Sequence, residues 1–345
     1  MRTVKKVRLG DLEFGNGRIY VQSMLNVPVE NIEKSVQQAK ALEKAGCEII
    51  RAAVPRVEDA ELIKALKNAV NVPVVADIHF DHRIALACIE AGVDKVRINP
   101  GNIGGAENVR AVADACRKNG VPIRIGVNSG SLERELLENY GRPTAEALTE
   151  SALNHVKLLN DCDFDDIVIS IKSSDVKLMI KAYRLVAERT EYPLHLGVTE
   201  AGTERMGLIK SSIGIGSLLC DGIGDTIRVS LTADPIKEVY AAKDILKACG
   251  MGCGVEIVSC PTCGRTKIDL ITLANQVEEM LKDVNKPIKV AVMGCAVNGP
   301  GEAREADIGV AGGNGEGLIF KKGEVLRKVP ESKILEELKR EIEQL

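Results

Sequence analysis

The sequence predicts an α/β chain built as a (βα)8 TIM barrel followed by a small α+β domain. Three observations predict it. Short β-branched runs alternate eight times with longer amphipathic segments, the pattern of a parallel sheet with helical crossovers. The 345 residues exceed the roughly 250 that a typical barrel uses. The alternation then breaks at Cys249-Gly250-Met251-Gly252-Cys253-Gly254, whose glycines read as a flexible junction. The expected boundaries are 1–250 for the barrel and 251–345 for the second domain.

The first strand candidate is Ile19–Leu25, followed by a helix over Ile32–Ala45 that stops at Gly46. The next strands are Glu48–Val54, Val72–His79, Lys95–Pro100, Pro122–Val127, Asp166–Lys172, Pro193–Val198 and Thr226–Leu231, each followed by a helical segment. The eighth helix spans roughly Ile236–Lys247. With no long antiparallel stretch between these units, a closed barrel fits better than an open doubly wound sheet. Beyond the junction lie a strand Val255–Val258, a helix Asp269–Lys282 and a strand Lys289–Met293. A glycine-rich stretch Gly294–Gly317 follows, then Leu318–Lys321, Glu324–Val329 and a charged helix Ser332–Leu345.

Composition narrows the function. A net charge of -3, 3% aromatic residues and no Trp provide neither the polybasic surface nor the stacking platforms of a nucleic-acid binder. No run of about 18 apolar residues occurs, and the basic segment Met1–Asp11 leads into no apolar core. The expectation is a cytoplasmic protein without membrane or nucleic-acid partners. In that reducing compartment the ten cysteines are thiols or metal ligands rather than a disulfide framework.

Side chains alternate along a strand, so one set faces the barrel axis and the other the helices. Val96 and Ile98 separate from Arg97 and Asn99; Ile123, Ile125 and Val127 separate from Arg124, Gly126 and Asn128. The polar set is the inward one. By the same parity Arg51, Asp77, His79, Ser170, Lys172, His195, Gly197, Thr199, Arg228 and Ser230 face the interior, toward the C-terminal strand ends where barrel enzymes place their sites. Five cations therefore converge with Asp77 and Glu200 as the main nearby carboxylates, and an anionic guest such as a diphosphate would offset their repulsion. The bland alternative is a set of structural ion pairs at the barrel end. Gly222 and Gly224 precede the eighth strand, at the opposite end, and read as turn glycines.

Cys47, Cys88, Cys116, Cys162 and Cys220 are isolated and read as small apolar groups. Cys260-Pro261-Thr262-Cys263-Gly264-Arg265 is different, because a C-x2-C pair offers two thiolates to one metal centre. Cys295 supplies a third thiolate within Met293–Glu302. A zinc ribbon would need Cys249 or Cys253 as its fourth ligand, since His79, His82, His155 and His195 all belong to the barrel. Glu302 is the other fourth candidate. A hard carboxylate on a soft iron-sulfur centre would exchange readily and leave one iron accessible; its plain alternative is a solvated loop residue.

These motifs resemble the 4-hydroxy-3-methylbut-2-en-1-yl diphosphate synthase family in its short bacterial form. The likeness spans the chain and is most specific at Cys260–Arg265, Met293–Glu302, Arg97-Ile98-Asn99-Pro100-Gly101-Asn102 and Leu196-Gly197-Val198-Thr199-Glu200-Ala201-Gly202. The resemblance implies a 4Fe-4S cluster on Cys260, Cys263, Cys295 and Glu302. It also implies reductive opening of 2-C-methyl-D-erythritol 2,4-cyclodiphosphate, with ferredoxin or flavodoxin as electron donor and the substrate displacing Glu302 from the cluster. Arg51, Arg97, Asn99, Arg124, Asn128, Lys172, Arg228 and Ser230 would hold the cyclic diphosphate. Glu200 is the candidate acid, with Asp77 and His195 orienting or assisting. The family further implies a homodimer in which the cluster domain of one subunit covers the barrel of the other. The plant-type insertion is absent, since the chain runs directly from Ile245 to Cys260. Two other readings stand beside this one: a pterin-dependent transferase, which leaves the C-terminal cysteines unexplained, and a cluster-bearing redox sensor or electron carrier.

Overall fold

Two units divide the chain at Met251, the first covering Met1–Met251 and the second Gly252–Leu345. The computed structural model describes residues 2–252, 254–282, 284, 286–296, 301 and 303–345. Glu302 and Cys253, both candidate ligands, lie outside the described residues.

The first unit opens with an antiparallel pair, β1 (Val7–Leu9) and β2 (Leu12–Phe14), joined at Gly10 with φ of +56°. Val7, Leu9 and Phe14 pack with Tyr20, Ile49, Val75 and Val168. Those four stand at the first or second position of their strands, so the hairpin plugs the N-terminal end of the barrel with apolar surface.

Eight parallel strands follow: β3 (Tyr20–Met24), β4 (Ile49–Ala53), β5 (Val74–Asp77), β6 (Lys95–Ile98), β7 (Ile123–Asn128), β8 (Ile167–Lys172), β9 (His195–Leu196) and β10 (Thr226–Ile227). Their order is β8-β7-β6-β5-β4-β3-β10-β9. A parallel bridge between Ile169 and Leu194 brings β8 to β9 and nearly closes the ring. Outside it run α1 (Ile32–Lys44), α2 (Ala60–Lys67), α3 (His82–Glu90), α4 (Ala106–Asn119), α5 (Arg134–Tyr140), α6 (Ala145–Asn160), α7 (Val176–Arg189), α8 (Glu204–Cys220) and α9 (Pro235–Ala248).

Local chemistry sets several of these starts. Asn31, Thr144 and Asp175 each accept a backbone N–H of the first helical turn, and Asp234 does so just before Pro235 at the first position of α9. The outward strand residues, among them Ile50, Ala52, Ile98, Ile123, Ile125 and Ile169, meet the helices in one continuous buried core. None of the described helices is long and apolar enough to cross a membrane.

In the second unit five strands pair as β11 (Glu256–Ser259), β12 (Lys289–Met293), β13 (Ile308–Gly312), β14 (Glu316–Lys321) and β15 (Glu324–Pro330). The first three are parallel and the last two pairings antiparallel. Helices α10 (Leu270–Leu281) and α11 (Ile334–Glu343) cover one face, where Leu273, Val277, Val290, Val292, Ile308 and Val310 pack with the α11 stripe Ile334, Leu338 and Ile342. Each such side chain contributes about 1.5–3 kcal/mol on burial. Ala291, Met293, Ala311 and Phe320 form a smaller cluster on the alternate side-chain set.

The elements match the sequence expectation in order, with four differences. Two helices, α5 and α6, follow β7 where one helical segment was expected. The β1–β2 hairpin arises from a segment read only as basic. β13 emerges from the stretch read as glycine-rich, where Gly309 is required because a Cβ there would stand 2.4 Å from the Phe320 ring. The strands expected over Pro193–Val198 and Thr226–Leu231 pair over only two residues each.

Candidate active site

The strand registers stack the inward residues. Arg97 of β6 pairs with Arg124 of β7, Gly126 with Ser170, and Asn128 with Lys172 of β8. Arg51, Asp77, Arg97, Asn99, Lys172 and Ser170 are buried, while Lys95, Arg124 and His195 have no exposed surface at all. Arg124 and His195 are corrections to the expectation that every polar residue sits at the C-terminal strand ends: they occupy the second position of β7 and the first of β9. Their Cα atoms start a layer below the mouth, above the apolar plug.

Asp77 organises the upper layer. Its Oδ1 accepts from Arg97 Nη1 at 3.1 Å and its Oδ2 lies 3.4 Å from Arg51 Nη2, with His79 Nε2 at 3.5 Å. Burial alone would raise the Asp77 pKa. The opposing pull of Arg51, the hydrogen bond from His79 and the charge of Arg97 together hold it well below the usual carboxylate range. Asp77 is therefore a fixed anion that orients two guanidinium groups, and it has no proton to give near neutrality. Gly126 makes room for this arrangement, because a Cβ there would fall 2.4 Å from Arg97 Nε and 2.6 Å from Nη2.

Arg228 has its own support. Its Nη2 approaches Glu238 Oε2 at 3.5 Å, and that buried carboxylate also accepts from Ser23 Oγ at 3.2 Å and from the Leu231 N–H at 2.9 Å. Met24 Sδ accepts from Arg51 Nε at 3.1 Å and Arg228 Nη1 at 3.5 Å. Asn99 accepts the Gly101 N–H at 3.0 Å, which shapes the turn after β6.

Positive charge still exceeds its partners. All three Arg124 side-chain nitrogens, Lys95 Nζ, Arg228 Nε and His195 Nε2 are buried without a hydrogen-bond partner among the described residues. Lys95 Nζ sits 4.8 Å from the centre of the Phe14 ring. Burial first, then neighbouring cations, pushes the pKa values of Arg124, Lys95 and Lys172 well down, and Arg51 falls to about 10. His195 donates or accepts at Nδ1 with Thr226 Oγ1 at 2.7 Å. Burial, followed by the charges of Arg124 and Lys172, lowers its pKa well below the ordinary value, so it is a neutral wall. Each unpaired buried donor costs about 1–3 kcal/mol. A polyanion reaching this layer would relieve both the repulsion and the unmet hydrogen bonding.

Around the mouth, Glu200 is exposed with φ of +50°, a left-handed conformation that side chains other than glycine rarely hold. A cavity of about 420 Å³ lies beside Asp77, lined also by Arg56, His79, Phe80, Asp81 and Arg83. Sequence reasoning missed Lys95, Met24 and Glu238. Lys95 shares the parity of Arg97. Glu238 interrupts an otherwise apolar α9 stripe of Pro235, Val239, Ala242 and Leu246, the signal of a helix carboxylate aimed inward.

The thiols of the second unit lie at one end of its sheet. Cys260 follows β11 and Cys295 follows the neighbouring parallel strand β12. The Gly294 N–H donates to Cys260 Sγ at 3.1 Å, and the Lys267 N–H donates to the Gly294 carbonyl, folding the Cys263 loop against β12. Hydrogen bonds from the Arg265 backbone, acting against a small burial effect, lower the Cys263 pKa and favour thiolate. The donor set suits a soft metal centre, although no three potential ligands gather into one metal group among the described residues. Cys220, read as a buried apolar group, is instead exposed, whereas Cys47, Cys88, Cys116 and Cys162 are buried.

A parallel barrel with a buried cationic interior, followed by a unit with thiols after two adjacent strands, defines a class: barrel enzymes that take a polyanionic substrate. Comparison with known proteins narrows it. The GcpE TIM-barrel domain model matches residues 4–243 and the GcpE protein C-terminal domain model matches residues 256–344. The 4-hydroxy-3-methylbut-2-en-1-yl diphosphate synthase (flavodoxin) of Clostridium perfringens is 58% identical over 344 residues, covering 99% of both chains. That of Clostridium acetobutylicum is 59% identical over 343 residues, covering 99% of this chain and 98% of its own. The Fusobacterium nucleatum protein of the same name is 55% identical over 343 residues, 99% and 97% respectively.

The chain belongs to the GcpE family of 4-hydroxy-3-methylbut-2-en-1-yl diphosphate synthases. Among solved structures, dihydropteroate synthase from Stenotrophomonas maltophilia matches with a TM-score of 0.53 at 15% identity, covering 70% of this chain and 96% of that one. The Xanthomonas albilineans enzyme gives 0.53 at 16% identity with the same coverage. At such identity these matches establish the barrel fold alone.

Proposed function

We propose that this chain converts 2-C-methyl-D-erythritol 2,4-cyclodiphosphate to 4-hydroxy-3-methylbut-2-enyl diphosphate and water, holding the substrate at the cation-lined end of its barrel. It is an oxidoreductase of the non-mevalonate isoprenoid pathway, and flavodoxin is its electron donor. The observation that supports the binding mode is the set of buried Arg124 and Arg228 nitrogens without protein partners among the described residues, in an interior where cations outnumber Asp77 and Glu238.

In this reading Arg51, Arg97, Arg124, Lys172 and Arg228 neutralise the diphosphate, and Asn99, Asn128 and Ser230 donate hydrogen bonds to its oxygens. Asp77 and Glu238 do not touch the substrate; they fix the guanidinium groups that do. Neutral His195 closes the interior without adding a further charge. Ring opening expels a hydroxyl group as water and therefore consumes a proton, for which exposed Glu200 is the proposed donor, held at the mouth by its left-handed backbone.

Cys260, Cys263, Cys295 and Glu302 are the proposed ligands of a 4Fe-4S cluster. The favoured thiolate at Cys263 and the N–H directed at Cys260 Sγ support that assignment. When bound, such a cluster supplies electrons one at a time and presents a soft iron to an oxygen ligand. The protein is further proposed to be cytoplasmic and homodimeric; sedimentation equilibrium giving only the monomer mass would remove the second statement.

The test is turnover under anoxic conditions with reduced flavodoxin, followed by phosphorus NMR. Loss of the cyclic diphosphate signals with growth of a linear allylic diphosphate supports the proposal. Intact cyclic diphosphate after incubation with iron-replete protein overturns it.

A further inference from the structure

Two thiols stand apart from the proposed cluster ligands and from the buried cysteines of the barrel core. Cys220 is the last residue of α8 and is exposed; Cys249 caps α9 and is half-buried. The Cys249 Sγ lies 3.9 Å from the Gly216 carbonyl oxygen. In an α-helix that carbonyl accepts the N–H of the residue four positions on, which is Cys220. An ideal Cβ on Gly216 would lie 3.7 Å from the same sulfur, so Cys249 rests on the strip of α8 that ends in Cys220. The neighbouring Cys220 thiol adds to burial in raising the Cys249 pKa. Cys47, Cys88 and Cys116 contrast with this pair: burial raises their pKa values and keeps them protonated and out of reach.

We propose that Cys220 and Cys249 form a reversible dithiol–disulfide site on the outer wall of the barrel, oxidised by low-molecular-weight disulfides of the glutathione class. The order of events follows from exposure. The Cys220 thiolate attacks one sulfur of the small disulfide, releasing one thiol and leaving a mixed disulfide at Cys220. The Cys249 thiolate then attacks Cys220 Sγ and releases the second thiol. One S–S bond forms for one broken, two electrons pass from the cysteine pair to the oxidant, and the two cysteine protons end on the two released thiols. That raised Cys249 pKa suits the resolving rather than the attacking position.

The site has a structural consequence. Cys249 stands two residues before Met251, where the barrel unit ends. A bond to α8 would tie the point from which the chain leaves the barrel to the end of that helix.

The test uses the full-length holoprotein, purified without oxygen and treated with oxidised glutathione under anoxic conditions. Tryptic cleavage after Lys210, Arg228, Lys247 and Arg265 places Cys220 in the peptide 211–228 and Cys249 in the peptide 248–265. The expected result is these two peptides joined, with the intact protein lighter by two hydrogens and restored by dithiothreitol. The joined species is expected to vanish in Cys220→Ser and Cys249→Ser and to persist in Cys253→Ser, a needed control because Cys253, Cys260 and Cys263 share the second peptide with Cys249. A glutathione adduct on Cys220 with no joined peptides in the parent protein overturns the proposal, as does a joined species that survives Cys249→Ser.

Discussion

Replacing Gly126 by Ala adds one methyl group to the inward face of β7, and the structure fixes what that methyl meets. It would lie 2.4 Å from Arg97 Nε, 2.6 Å from Nη2 and 2.8 Å from Cζ. Carbon and nitrogen need roughly an ångström more, so the guanidinium must swing away by about 1 Å, enough to stretch the 3.1 Å bond from Arg97 Nη1 to Asp77 Oδ1 beyond hydrogen-bonding reach. The substrate then meets a misplaced fork. Losing one charge-assisted contact costs about 1.5–3 kcal/mol, a roughly ten- to hundredfold weaker dissociation constant.

Stability should also fall, by about 1–3 kcal/mol for an overpacked buried site, but the fold should survive because Gly126 has no positive φ to strain and Asp77 keeps Arg51. The assay is calorimetric titration of anoxic protein with the cyclic diphosphate in the absence of reductant, beside thermal unfolding of the same samples. A folded Gly126→Ala protein that binds with the parent's affinity would refute the assignment of Arg97 to the substrate.

Other substitutions probe the same layer from different sides. Asp77→Asn removes the anion between Arg51 and Arg97, a loss of about 3–5 kcal/mol for a buried pair, and is expected to lower the melting temperature by roughly 6–20 °C; a shift below that range would mean the cations do not depend on it. His195 is neutral when folded but takes up a proton when unfolded below the ordinary imidazole value of 6.5, so the parent should lose stability as pH falls through that value, by up to about 1.4 kcal/mol per pH unit. Urea unfolding of His195→Gln between pH 7.5 and 5.5 should show a flatter decline, and an identical pH slope would contradict the buried neutral state. The Asp77 contribution has a different window: its folded pKa is depressed, so the contribution is complete above the ordinary aspartate value and lost only as pH falls below it.

Much of this was legible in the residues, and the misses have physical causes. Parity placed Arg51, Arg97, Arg124 and Lys172 inside the barrel because a strand buried on both faces has no other reason to alternate charge with Ile and Val. The same parity held Lys95, but nothing in its strand shows that a lysine at the first residue is fully buried. The depth of Arg124 and His195 depends on inter-strand register, which no single strand encodes. Glu238 was hidden because helix periodicity is read through apolar residues, and its role appears only when α9 packs against Ser23 and Leu231. The hairpin Val7–Phe14 is made of three-residue strands too short for a period to show. The Cys220–Cys249 pair joins residues far apart in sequence, so spacing carried no trace of it. Cys260, Cys263 and Cys295 stood out in the sequence by motif and spacing, but that Cys260 and Cys295 follow two adjacent strands appears only in the fold.

The proposed chemistry needs an iron-sulfur centre in the second unit and a polyanion in the barrel. Iron, zinc and acid-labile sulfide measured together on oxygen-free protein test it most directly. About four iron and four sulfide per chain are expected in the parent, with a marked loss of both in Cys295→Ser. Stoichiometric zinc with no sulfide in the parent would contradict it.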